Sequence, residues 1–146
     1  MTVSARPIES SDETAWRKLW RGYLEFYETT LDDEIYRTSF ARLIDPAVTD
    51  YHGLLALRDD APVGLVHYIF HRHGWQIEDV CYLQDLYVAP EARGTGAGRV
   101  LIEAVYRAAD AAGRPNVYWM TQTFNTTARQ LYDRVGSVTP FIKYRR

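Results

Sequence analysis

A glycine-rich turn carries the clearest chemical signal in the sequence. Residues 93–98 read Arg-Gly-Thr-Gly-Ala-Gly, and they stand between an apolar run that ends at Val88 and a segment with helical periodicity. The first backbone N–H groups of a helix lack intrahelical partners, and the helix dipole adds a partial positive charge, so such a turn favours anions, phosphate above all. Glycine also lets the backbone approach an anion without an intervening side chain. The turn predicts a phosphate-binding site, and the alternative is a flexible turn that binds nothing.

Two well-known phosphate-binding motifs fit this turn poorly. A P-loop requires Lys and then Ser or Thr after its last glycine, whereas Arg99 and Val100 stand there. A dinucleotide-binding fingerprint requires a third glycine at position 99 and an acidic residue roughly 20 residues later. Arg99 occupies the first of these places, and no acid stands near the second. Neither a P-loop nor a dinucleotide site is therefore expected.

Three further residue types invite a chemical interpretation. Tyr132 could donate a phenolic proton, although it shares a helical stripe with apolar residues and could equally pack in the core. Cys81 lies within an apolar strand-like run, where a free cysteine usually behaves as a small buried hydrophobe rather than as a nucleophile. His71 and His73 share one strand face, but no Cys or acidic cluster accompanies them. We therefore expect no metal.

Alternating strand and helix patterns around these residues predict an α/β fold. The expected order is β-α-α-β-β-β-α-β-α-β, in a mixed, mostly antiparallel sheet of six to seven strands with helices on both faces. A helix with an aromatic face should follow the capping box of Ser10 and Glu13, and Asp45-Pro46 should end the second helix. The predicted strands are 3–6, 54–58, 63–71, 80–88, 116–121 and 138–144, and the last two helices span about 97–112 and 126–135.

The composition describes an ordinary globular protein. The chain has 146 residues, of which 47% are apolar and 25% charged, and it carries one cysteine. That length suits a single domain over residues 1–146, and the net charge of −2 gives no basic footprint for nucleic acid or for a membrane surface. Without a hydrophobic leader at its N-terminus or a disulfide framework, we expect a cytoplasmic protein.

Three stretches resemble the GNAT superfamily of N-acetyltransferases, most of all its spermidine/spermine and thialysine branch. Arg93, Gly96 and Gly98 match the coenzyme A pyrophosphate turn of that family, after a strand that reads Tyr-Leu-Gln-Asp-Leu-Tyr-Val over residues 82–88. Pro62-Val63-Gly64 with Trp75 beyond resembles the third strand of the branch and its turn. Asn125, Ala128, Leu131-Tyr132 and Gly136 resemble its last helix. The resemblance extends over residues 62–136.

The resemblance implies acetyl-CoA as co-substrate and assigns residues to it. Tyr132 would be the general acid that protonates the departing thiolate. The cofactor-binding residues would be the backbone of Leu86, Tyr87 and Val88, the turn residues Arg93, Gly94, Thr95, Gly96, Ala97, Gly98 and Arg99, and the last-helix residues Asn125 and Ala128.

The acceptor side departs from the family pattern at one position. Relatives in the polyamine branch carry a glutamate where this chain has Gln84, and glutamine cannot take a proton. Asp85 is adjacent, but strand alternation predicts that it points to the opposite face of the sheet. Glu78, His67 or an ordered water chain could remove the acceptor's proton instead. The residues expected at the acceptor are Phe26, Tyr27, Trp75, Gln84 and Asp85.

The leading interpretation is an N-acetyltransferase that moves an acetyl group directly from acetyl-CoA to a primary amine of a small molecule or a lysine-like acceptor. Two alternatives stay open. One is a non-catalytic acyl-CoA sensor, and the other is a protein or histone lysine acetyltransferase. Neither nucleic acid nor a membrane is expected as a partner, and the resemblance implies a homodimer.

Overall fold

The computed structural model describes residues 2–146. Its sheet contains five strands, which are β1 (Val3–Pro7), β2 (Tyr51–Arg58), β3 (Ala61–His71), β4 (Val80–Val88) and β5 (Val117–Tyr118). The helices are α1 (Glu13–Phe26), α2 (Asp33–Ile44), α3 (Ala97–Ala111) and α4 (Thr126–Val135), with short 3-10 turns at Ser10–Asp12 and Pro90–Ala92. None of the helices in residues 2–146 has both the length and the apolar character needed to span a membrane.

The strands lie in the sheet in the order in which they occur along the chain. Neighbours pair antiparallel from β1 to β4, and β5 pairs parallel to β4. The tight connection between β2 and β3 uses Asp59 and Asp60, which both adopt positive φ angles (51° and 64°). Aspartate tolerates this left-handed conformation better than most residues do. The mixed and mostly antiparallel α/β sheet is confirmed.

Helices cover both faces of the sheet, as predicted, and a separate apolar cluster fills each layer. On one face α1 and α2 bury Trp16, Trp20 and Phe40 against Leu55 and Leu65. On the other face α3 packs on the sheet through buried residues that include Leu101, Ile102, Val105, Cys81 and Leu83. The prediction that Cys81 is a buried hydrophobe is therefore confirmed. Burial also raises the pKa of its thiol to about 11, which keeps it protonated at neutral pH.

The predicted strand count was wrong. Residues 138–144 form no strand, and their large apolar side chains are exposed, with Phe141 83% exposed to solvent. A strand needs a neighbouring edge with which to exchange backbone hydrogen bonds, and β5 pairs for only two residues. The chain itself therefore offers this segment no partner, and the sheet has five strands instead of six to seven.

Candidate active site

The glycine turn leads directly into α3 and leaves its first backbone N–H groups open. Gly94 and Gly96 adopt φ angles of 79° and 88°, a region that side chains other than glycine rarely occupy. No side chain caps the helix, and no acidic residue lies in its first turn. Thr95 stabilises the turn by donating from its hydroxyl to the carbonyl of Ala92 over 2.5 Å. The structure therefore shows an uncapped helix start at the turn, and such a start is suited to binding an anion.

Both arginines of the turn already have partners. The Nε of Arg93 donates to the carbonyl oxygen of Val88 over 3.1 Å, and its guanidinium lies 5.9 Å from the centroid of the Tyr87 ring. The Nε of Arg99 donates to Glu103 one helical turn later, over 2.8 Å. Arg93 thus fastens the turn to the end of β4. The backbone amides of the turn are therefore the groups that would bind the anion.

Strand β4 has one unpaired edge beside this turn. Its pairing with β5 stops at Tyr82 and Tyr118, whereas its pairing with β3 continues to Val88. Ala89 donates its N–H to the carbonyl of Val63 over 2.8 Å. Because the hydrogen-bonded pairs of an antiparallel ladder alternate, the backbone groups of Tyr87 also face β3, whereas those of Leu86 and Val88 face the unpaired edge. Leu86 and Val88 therefore face the open edge, where the carbonyl of Val88 already accepts from Arg93, and their contact with coenzyme A stays a prediction.

The Tyr87 side chain faces α1, where Gly22 makes room for it. A Cβ atom at Gly22 would lie 2.5 Å from the Tyr87 hydroxyl, which is closer than atoms can approach. Because its backbone groups are bound to β3, Tyr87 supports the site by packing.

A β-bulge in β4 overturns the predicted alternation of Gln84 and Asp85. His67 pairs with Asp85, but Tyr68 pairs with Leu83, so Gln84 is the extra residue on β4. A bulge adds one residue and shifts the side chains that follow to the other face. Gln84 consequently lines a cleft beneath α1 and α2, and Asp85 points into the same layer. The expectation that these two side chains lie on opposite faces was wrong.

Asp85 belongs to a buried chain of hydrogen bonds that begins on α1. The indole N–H of Trp16 donates to Nε2 of His67 over 2.9 Å, and Nδ1 of His67 lies 2.8 Å from a carboxylate oxygen of Asp85. An indole can only donate, so Nε2 must be the acceptor and Nδ1 must carry the proton. His67 is thereby held neutral and donates to Asp85. Neither Trp16 nor His67 therefore brings a positive charge to this buried carboxylate.

Tyrosine side chains surround this carboxylate. Burial, followed by the charge of Asp85 and a hydrogen bond to it, raises the pKa of Tyr23. Burial and then the same charge raise the pKa values of Tyr27 and Tyr51. Each of these phenols therefore stays protonated at neutral pH and can only donate to, or orient toward, the carboxylate.

Tyr132 lies half-buried on α4, where it packs against the apolar cluster beneath α3. Its ring meets that of Trp119 edge-on, with centroids 5.6 Å apart. Burial, and secondarily Tyr27, raises the pKa of Tyr132 to about 12. Tyr27 thus contributes to the raised pKa of Tyr132, and the charge of Asp85 contributes to the raised pKa of Tyr27.

Helix α4 also contacts the start of α3. A Cβ atom at Gly98 would lie 3.2 Å from Leu131, so this glycine allows α4 to pack closely beside the turn. Asn125 stands at the N-terminus of α4 beside the same region, and Ala128 is half-buried one turn later. The side chain of Asn125 does not cap the helix. Its amide lies 3.4 Å from the Thr121 hydroxyl instead.

The structure leaves two predicted acceptor residues outside this group. Trp75 is 90% exposed at the tip of the β3–β4 hairpin, where its ring contacts only that of His73 among the aromatic residues described. Phe26 is 55% exposed at the end of α1, with its ring edge against Tyr27. Sequence reasoning did not single out Trp16 and Tyr23 as residues of the site. Their helical spacing gave no sign that a histidine and an aspartate far along the chain would meet them.

Comparisons with known proteins agree with this geometry. The profile of the acetyltransferase (GNAT) family matches residues 14–136. The D-amino-acid N-acetyltransferase HPA3 of Saccharomyces cerevisiae is 42% identical over 146 residues, which cover 99% of this chain and 90% of the relative. A thialysine N-epsilon-acetyltransferase of Caenorhabditis elegans is 28% identical over 87 residues, covering 60% of this chain and 54% of that protein.

Solved structures of low sequence identity share the fold. The aminoglycoside N-acetyltransferase AAC(6')-Iy, solved with a bisubstrate analogue, superposes with a TM-score of 0.84 at 18% identity and covers 100% of this chain and 99% of its own. A ribosomal-protein-alanine N-acetyltransferase of Brucella melitensis superposes with a TM-score of 0.79 at 17% identity, covering 99% and 98%. Since the family profile covers most of the chain and a relative with 42% identity covers nearly all of it, the protein belongs to the GNAT acetyltransferase family.

Proposed function

We propose that this N-acetyltransferase takes the acetyl group from acetyl-CoA and transfers it to the amine of a free amino acid. The observation that carries the proposal is the meeting of three features at one place. These are an uncapped helix start, an unpaired strand edge and a half-buried phenol on the helix that packs beside that start. The relatives support an amino acid as acceptor, because one is named for D-amino acids and another for thialysine.

The residues on the coenzyme side fit coenzyme A. The amides at the start of α3 would hold the pyrophosphate, since they combine free N–H groups with the positive end of the helix dipole. The backbone groups of Leu86 and Val88 would bind the pantetheine arm as an added strand would. Acetyl-CoA supplies the acetyl group as a thioester, whose carbon–sulfur bond breaks as the new carbon–nitrogen bond forms. The ammonium group loses one proton to solvent before it attacks, and the second proton that leaves the nitrogen balances the one that Tyr132 gives to the sulfur.

Tyr132 would act as the general acid. With its pKa raised to about 12, the phenol stays protonated at neutral pH and has a proton to donate to the departing sulfur. Its hydroxyl has no hydrogen-bond partner in the described part of the chain, so no competing contact holds that proton. The half-buried position also limits access of water to the reacting atoms.

Asp85 would draw the acceptor into the site. A buried negative charge attracts an ammonium group more strongly than an exposed one, since less water screens it. Trp16 donates to His67 and His67 donates to Asp85, so these two partners bring no positive charge that would compete with the ammonium group for the carboxylate. Asp85 also provides a carboxylate on the acceptor side, whereas Gln84 has no carboxylate to provide.

A panel of amines tests the proposal. Release of free thiol from acetyl-CoA is measured with D- and L-amino acids, thialysine, spermidine, an arylalkylamine and a lysine peptide. We expect the free amino acids to give the highest kcat/KM. Turnover of spermidine or of the peptide alone would contradict the amino-acid acceptor, and tight coenzyme A binding without any acceptor-dependent release would indicate a sensor.

We also propose that the protein forms a homodimer through its C-terminal segment. Val138, Phe141, Ile142 and Tyr144 are all exposed, and the strand pattern of this segment finds no partner within residues 2–146. Exposed apolar segments of this kind usually mark an interaction surface. The mass measured by light scattering should be that of two chains, and deletion of residues 138–146 should give monomers. A monomeric full-length protein would contradict the proposal.

A further inference from the structure

The cleft beneath α1 and α2 is a second feature of the acceptor side, separate from the turn. It has a volume of about 580 Å³, and its floor crosses three strands at Tyr51, Ile69 and Gln84. Leu31, Ile35 and Val48 give it apolar walls. A cleft of this size can hold a small molecule, with the apolar walls available to an aliphatic side chain.

Arg42 brings a free positive charge to this cleft. It lies in the last turn of α2, and its guanidinium forms no ion pair or hydrogen bond with any side chain that the structure describes. Its neighbour on the same helix differs, because Arg37 is paired with Asp33 over 2.9 Å. Burial and then Asp85 raise the pKa of Tyr51, which lines the same cleft, and Arg42 makes the smallest of the contributions that oppose this rise.

Trp20 adds a buried donor to the same lining. Its side chain is almost completely buried, yet its indole N–H has no hydrogen-bond partner among residues 2–146. A buried donor left without a partner costs free energy, and native proteins seldom tolerate one without a reason. An acceptor oxygen within the cleft would satisfy it.

The charges of the lining match a molecule that carries one charge of each sign. Arg42 and Asp50 are the two charged residues that line the cleft. Gln84 lies at its other side, on the bulge that leads to the unpaired edge of β4. A carboxylate held near Arg42 would therefore leave the rest of the molecule directed toward the strand where the acetyl group is expected.

We propose that Arg42 binds the carboxylate of an amino-acid acceptor, with the indole N–H of Trp20 as a second donor. The inference rests on the proposed function. It adds the residue that makes the enzyme prefer amino acids to amines that lack a carboxylate. A guanidinium is suited to this role because its donors match the two oxygens of a carboxylate. The apolar walls would then receive the side chain of the amino acid.

The test compares an amino acid with its own amide. Steady-state rates are measured for D-leucine and D-leucinamide with wild type, Arg42→Gln and Arg42→Lys. We expect Arg42→Gln to raise KM for D-leucine about ten- to hundred-fold and to leave kcat little changed. This is the factor that the loss of a hydrogen bond between charged groups usually produces. KM for D-leucinamide should stay the same, and Arg42→Lys should recover part of the loss. Trp20→Phe should raise KM for D-leucine by a smaller factor and leave the amide unaffected.

Arg37→Gln serves as the matched control, since it removes the same charge from the same helix outside the cleft. Equal use of the acid and the amide by wild type would overturn the proposal, as would equal losses for both in Arg42→Gln or a changed KM for acetyl-CoA. Calorimetric binding of D-leucine to the protein saturated with coenzyme A separates this proposal from the proposed function. Binding that Arg42→Gln abolishes supports the carboxylate site even if no amine is acetylated, and absence of binding to wild type overturns it.

Discussion

The coenzyme side and the acceptor side of the site are built from different parts of the chain. The coenzyme side consists of residues 93–98 and the edge of β4, which are contiguous in sequence and act through backbone groups. The acceptor side combines Trp16, His67 and Asp85 from three elements, and it acts through side chains and a buried charge. A backbone site can be recognised from a short motif, whereas a side-chain site depends on contacts between distant residues. Variants can therefore test the two sides separately.

Tyr132 is the proposed general acid, so its loss should have the largest effect. We expect Tyr132→Phe to lower kcat by about 10²- to 10⁴-fold, the usual contribution of a general acid, with KM for acetyl-CoA little changed. Thermal stability should hold, since the hydroxyl has no hydrogen bond to lose in the described structure. The measurements are steady-state kinetics and thermal unfolding of both proteins.

Tyr106→Phe is a control in which stability, and not activity, should fall. Its hydroxyl donates to the carbonyl of Val135 over 2.6 Å, so the variant should lose about 1 kcal/mol of stability and keep its kcat. An unchanged kcat in Tyr132→Phe would remove Tyr132 from the mechanism.

The pH dependence of wild type gives a second test of Tyr132. Since its pKa is raised to about 12, the protonated form that an acid requires persists until the pH rises through that value. The kcat should therefore show no alkaline fall up to about pH 10.5, where a phenol with the ordinary pKa of about 10 would be largely ionised. A fall in kcat centred near pH 10 would contradict the assignment.

Asp85→Asn should weaken the acceptor side alone. The substitution keeps the shape of the side chain and removes the charge, so kcat/KM for the amine should fall about ten- to hundred-fold while KM for acetyl-CoA stays constant. Asp110→Asn, on the exposed C-terminal part of α3, is the control and should leave both constants unchanged. Equal losses for amine and acetyl-CoA would show that Asp85 maintains the fold rather than the acceptor site.

Gly96→Ala should weaken the coenzyme side alone. At a φ of 88° an alanine is strained by about 1–2 kcal/mol, and relief of that strain would move the amides of the turn. We expect KM for acetyl-CoA to rise roughly 5- to 20-fold without a change in acceptor preference.

Gly113→Ala is the matched control for Gly96→Ala, because Gly113 has a φ of 70° and equally open surroundings at the other end of α3. It should cost similar stability and leave KM unchanged. If the two sides are independent, the effects of Gly96→Ala and Asp85→Asn should also add in the double variant.

The smallest effect is expected at Cys81, on the face of the sheet opposite the acceptor side. With its pKa raised to about 11 and its side chain fully buried, the thiol should react slowly with alkylating agents near pH 7.5, and the treated enzyme should keep its activity. The unfolded protein should take up one label per chain. Rapid labelling with loss of activity would contradict a purely structural role.

Two errors of the sequence-based predictions have physical causes. Strand alternation assigned Gln84 and Asp85 to opposite faces, because it assumes a regular ladder and cannot show where a bulge falls. The pattern of residues 138–144 indicated a strand, but a strand also requires a partner edge, and β5 is too short to provide one. In both cases the local sequence pattern is present, but the pairing between strands determines the structure that forms.

The sequence by itself determined the order of the elements as far as α4, the two-faced α/β sheet and the glycine turn, because periodicity and backbone conformation are properties of neighbouring residues. It also provided the motifs by which the family was identified. Only the tertiary structure decided that Trp16 meets His67, that His67 is held neutral and donates to Asp85, and that Arg42 and Trp20 line one cleft. Burial and hydrogen-bond partners set those properties, and both arise only when residues far apart in the chain are packed together.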